Sequence, residues 1–275
     1  MAIRLSPASL TRYVLEQLEH VELGSGPERR LGAVALGANC LRMIRRDMRG
    51  IGRLIEAERL TQTDALSQVD DLTLELASLL YSSGAPHEVW RRWSGTYALG
   101  TSLLRRAQEA AKFAALGGEW ALLSTLPPER AASKRVSERV VWALLIQESL
   151  DPTSVRAADA EDDAWLSLAT SIPGGDHSAT DKALKTIAQH WMAEGDWQTF
   201  HPRSAPDFEP SVCAAAALAR RGGYRPENLS VDELQFLEPG LAEPEPTPLW
   251  PEVFVDSTQP ERANGTVHNQ RCHSS

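Results

Sequence analysis

Residues 27–56 read PERRLGAVALGANCLRMIRRDMRGIGRLIE. Leu31, Val34, Ala38, Leu41, Ile44, Met48, Ile51 and Ile55 recur at steps of three and four. That spacing puts them on one face of a helix. The stretch is expected to form one helix of roughly 30 residues starting near Pro27, with Gly50 and Gly52 as points where it bends. Strict alternation of apolar and polar residues, the mark of a half-buried strand, does not occur here.

The same period governs the neighbouring segments. Upstream, Ser6-Pro7 reads as an N-cap followed by proline at the first helical position, with Leu10, Val14, Leu15, Leu18 and Val21 on one face. Downstream, Thr61 or Thr63 caps a helix whose stripe is Ala65, Leu66, Val69, Leu72, Leu76, Leu79 and Leu80. Gly84 and Pro86 separate it from residues 86–116, which carry Trp90, Trp93, Tyr97, Leu103 and Phe113. A short helix around Trp120 and a stripe from Ala132 to Leu145 follow. The second half adds EDDAWLSLATSI at 161–172, a helix from Asp181 to Glu194, and SVCAAAALARRGG at 211–223 with its basic last turn and glycine stop. The fold class expected is all-α, an irregular helical bundle or α-solenoid-like array of about eight to ten helices. Residues 1–242 form a single helical domain. Residues 243–255, with prolines at 244, 246, 248 and 251, form an extended proline-rich segment, and 256–275 a mobile tail.

Length and charge narrow the function. The chain has 275 residues and a net charge of −9. Residues 1–60 sum to +3, residues 61–150 to −1 and residues 151–275 to −11. A net-acidic chain is a poor general partner for nucleic acid or anionic membrane, since both select clustered positive charge. The three cysteines are too few for a disulfide framework, which points to a reducing cytoplasm. No secretory leader or membrane-spanning stretch is visible.

Catalytic spacings are absent: there is no phosphate loop, G-x-S-x-G, H-E-x-x-H or C-x-x-C. Asp70, Asp71 and Glu75 place carboxylates near one another on a helix; they read first as a solvated helix face and only second as metal ligands. His268, Cys272 and His273 are residue types that bind zinc, but they stand in the tail without a second ligand pair. Cys40 and Cys213 read as core, as do Trp90, Trp93, Trp120, Trp142, Trp165, Trp191 and Trp197, while Trp250 is placed to dock the proline-rich segment. Arg42, Arg45, Arg46, Arg49 and Arg53 share one helix face, read as exposed and paired with acids such as Asp47 and Glu56. Asp159, Glu161, Asp162 and Asp163 form the densest acidic cluster. It reads first as helix N-terminal charge and second as a contact patch for a basic partner.

Residues 179–242 carry something more specific. ATDKALKTIAQHWMAEGDW, FEPSVCAAAALARRGGY and ELQFLEPGLA resemble the carboxy-terminal half of the immunity protein 49 family of polymorphic-toxin immunity proteins. The matching features are Ala183-Leu184 with Trp191, the small-residue helix ending at Leu218 to Gly222, and Leu237 to Leu241. The PoNe-immunity type is a near alternative with the same role. The resemblance implies an all-helical inhibitor, associated with type VI secretion, that binds and neutralises a cognate toxin without cofactor, metal or catalysis of its own. A basic nuclease, a DNase above all, is the partner that the acidic second half would attract, with Asp159, Glu161, Asp162 and Asp163 as the contact. A helical protein–protein scaffold of unrelated role is one competing reading. The other is a helical metal-dependent enzyme using Asp70, Asp71 and Glu75.

Overall fold

The computed structural model describes residues 3–126, 135–146, 150, 155–195, 197–200, 208–242 and 253–254. Among these, eleven helices and one two-residue strand pair make an all-α fold. The helices are α1 (Pro7–Leu18), α2 (Ala33–Glu56), α3 (Gln62–Ser82), α4 (His87–Leu103), α5 (Ala107–Gly117), α6 (Trp120–Leu123), α7 (Val136–Ile146), α8 (Ala160–Gly174), α9 (His177–Glu194), α10 (Pro210–Arg221) and α11 (Val231–Leu241). The strands β1 (Ile3–Arg4) and β2 (Val253–Phe254) pair in parallel, joining the two ends of the described chain. The proline-rich segment 243–255 is described only at β2. Trp250 and the tail 256–275, with His268, Cys272 and His273, lie outside the described residues.

Local chemistry sets the helix starts. Ser6 accepts from the Ser9 amide while the Ser9 side chain bonds back to Ser6, and Pro7 fills the first helical position. Thr61 caps α3 by accepting from the Asp64 amide. α2 departs from expectation: it begins at Ala33 behind Gly32, whose φ is +77°, and runs without a break through Gly50 and Gly52. Its first turns are also rotated. Ala33, Gly37 and Cys40 face the core, while Leu31, Val34 and Ala38 point outward. The cause is a close approach at Gly37. A Cβ there would stand 3.1 Å from the Leu23 side chain and 3.5 Å from Leu79, so this part of the helix turns its small residues inward.

The segment 86–116 is two helices, because Arg105 takes a positive φ of 60° and turns the chain between α4 and α5. The two pack backbone to backbone. A Cβ on Gly117 would lie 2.5 Å from the Cα of Gly95. Gly117→Ala is therefore expected to cost about 1–3 kcal/mol of stability. Gly50→Ala, where a Cβ meets nothing within 4 Å, should gain about 0.5–1 kcal/mol. Urea midpoints of the two variants read both signs.

α10 stands at the centre of the second half and packs on α5, α7, α8, α9 and α11. Helices on several sides explain its alanine run: Ala214, Ala215, Ala216 and Ala217 are buried, and larger side chains would push those neighbours away. Contacts between elements this far apart in sequence make the molecule an irregular bundle rather than a solenoid of nearest neighbours. One buried apolar cluster extends from Leu5 to Leu237. Trp90, Trp93, Trp142 and Trp165 belong to it, Trp120, Trp191 and Trp197 pack at its edge, and Cys40 and Cys213 are buried core cysteines, as read from the sequence. α11 spans nearly all of the ELQFLEPGLA stretch, for which the spacing predicts no helix of its own. It is a helix with a Ser230–Glu233 capping box, which tolerates Pro239 in its last turn.

Candidate functional site

The four acids of 159–163 meet at the start of α8, where most of their hydrogen-bonding capacity is used locally. Asp159 is the N-cap and accepts from the Asp162 amide at 2.9 Å. Asp162 in turn accepts from the Ala158 amide at 2.9 Å. Glu161 accepts from the Trp165 indole at 3.0 Å and lies 3.1 Å from His190 Nε2. Asp163 is exposed. The mutual repulsion that would favour a neutralising partner is thus offset inside the helix by amide donors and the positive end of its dipole.

Asp70, Asp71 and Glu75 do not converge. Asp70 is 2% exposed and sits against Gly100 of α4. A solvated face is therefore the wrong description for it. Burial pushes its carboxyl up to about 9, against the opposing pull of Arg106 and with added repulsion from Asp71 and Glu109. Asp71 points to solvent, 3.8 Å from Arg106. A neutral buried acid beside an exposed carboxylate is a poor divalent-ion site. Among the described residues no group of three or more His, Cys, Asp or Glu side chains could hold a metal ion.

Arg42, Arg46, Arg49 and Arg53 of α2 are exposed and Arg45 is half-buried; of the two acids expected as partners, Asp47 is one. Arg46 pairs with Asp47 at 3.0 Å, and Arg49 makes a two-pronged contact with Glu19 of α1 at 2.7 and 2.8 Å. Arg45 reaches the carbonyls of Leu18 and Val21, and Arg42 meets Asn39. Glu56 takes no part.

The polar centre that sequence reading missed links the loop before α2 to α3, α4 and α11. The Glu238 carboxylate accepts from Arg29 Nε at 3.0 Å and from the Tyr81 hydroxyl at 2.9 Å, and lies 3.3 Å from His87 Nε2. Arg29 also donates to the carbonyls of Tyr81 and Ala85. The Trp90 indole donates to His87 Nδ1 at 3.2 Å, so His87 presents Nε2–H to the carboxylate without needing a positive charge. Burial by itself would raise the Glu238 pKa; His87, Arg29 and Tyr81 together outweigh it and bring it down to about 2. Four residues scattered over some two hundred positions leave no local signal of this cluster. Its bonds are made to the protein itself, so it works as a lock.

Large apolar side chains stand exposed on the segment that follows Arg29 and on α11. Leu31 is 64% exposed, Val34 53% and Leu36 42%; on α11 Val231 is 79% exposed and Leu234 37%, and Leu54 of α2 is 37% exposed as well. The two groups are tied through Arg29, whose carbonyl accepts from Gln235 of α11 at 3.4 Å. Among the described residues no helix is long and apolar enough to cross a membrane.

Comparison with known proteins returns no family model, no curated protein and no solved structure that matches the chain.

Proposed function

We propose that this chain is an immunity protein, which binds a cognate bacterial toxin and neutralises it by direct protein–protein contact. The observation that carries the reading is the run of exposed apolar side chains Leu31, Val34 and Leu36, with Val231, Leu234 and Leu54 also exposed, on a packed helical body. Apolar side chains grouped at the surface of a packed bundle favour a protein partner. The segment 179–242 supports an inhibitor of the type VI kind by its resemblance. The net charge of −9 favours a basic nuclease acting in the cytoplasm, since opposite charge speeds encounter.

The test is coexpression in a bacterial host with the product of the neighbouring gene, which the proposal expects to be a toxin. Growth should be restored and the two proteins should co-elute as a complex. Leu31→Glu and Val231→Glu should each weaken that complex by about tenfold or more. Asp163→Asn should mainly slow association at low salt, and it is the cleanest change in the acidic cluster because the other three acids hold bonds within α8. Persistent growth arrest with no complex would refute the proposal.

A further inference from the structure

We draw no further inference here: the strongest candidate, the groove of about 590 Å³ between α1, α2 and the start of α3, lined by Leu15, Ile55 and Leu60, is an unpartnered apolar face, and nothing in the structure shows what covers it.

Discussion

Glu238→Ala should cost about 3–5 kcal/mol, the largest loss expected from any single polar substitution in this protein. The carboxylate holds Arg29, Tyr81 and His87, and its removal leaves the Arg29 guanidinium, only 16% exposed, without its counter-charge. The pH dependence has a definite sign. A carboxyl held at about 2 when folded, against an ordinary 4.5, contributes stability that is fully present above 4.5 and is lost as pH falls towards 2. That contribution is about 3 kcal/mol at neutral pH. Glu238→Gln should keep much of the packing, lower the urea midpoint at pH 7, and match wild type more closely near pH 2.5. Equal midpoints for wild type and Glu238→Ala at pH 7 would show that the cluster contributes nothing.

Asp70→Asn should act in the opposite direction and stabilise the fold at pH 7, by up to about 4 kcal/mol. Asp70 is buried against Gly100, one of its oxygens has no hydrogen-bond partner, and burial raises its carboxyl to about 9. A raised folded value means that stability is greatest below the unfolded value near 4 and declines as pH climbs through 9. Asparagine has nearly the shape of the protonated acid and needs no proton. Its advantage should therefore vanish near pH 4 and widen towards pH 9. Urea titrations at pH 4, 7 and 9 check this, and an advantage independent of pH would contradict it.

The helical period made most of the fold legible, because amphipathic stripes such as Ala65 to Leu80 depend only on local spacing. Capping at Ser6, Thr61 and Asp159 was equally local. The failures are tertiary in origin. Nothing in the spacing of Leu31, Val34 and Ala38 announces that Gly37 must approach Leu23, yet that contact rotates the first turns of α2 and leaves three large apolar groups outside. The chain could be read as one helix from 86 to 116 because a positive φ at Arg105 has no sequence mark when the residue is not glycine. α11 has no such clear mark, since Pro239 stands inside its last turn. The acidic cluster was seen at once, but its local role depends on Trp165 and His190 being near. Asp70 illustrates the reverse: its spacing suggested a surface, and only the packing of α3 on α4 places it inside. The Glu238 lock requires distant segments to be brought together, which no single-window pattern contains.

The lock also bears on timing. Arg29 and Glu238 are 209 positions apart in the chain. At ordinary rates of synthesis, roughly 10–40 s separate their emergence from the ribosome. Throughout that interval Arg29 and Tyr81 have no counter-charge to close on, and the N-terminal helices wait in an unlatched state. α11 arrives long after the other three partners and sets the latch in one step. A chain that stalls before residue 238 is expected to be sensitive to proteases. The cell's supply of working protein is then set by completed chains alone, and nascent ones contribute nothing.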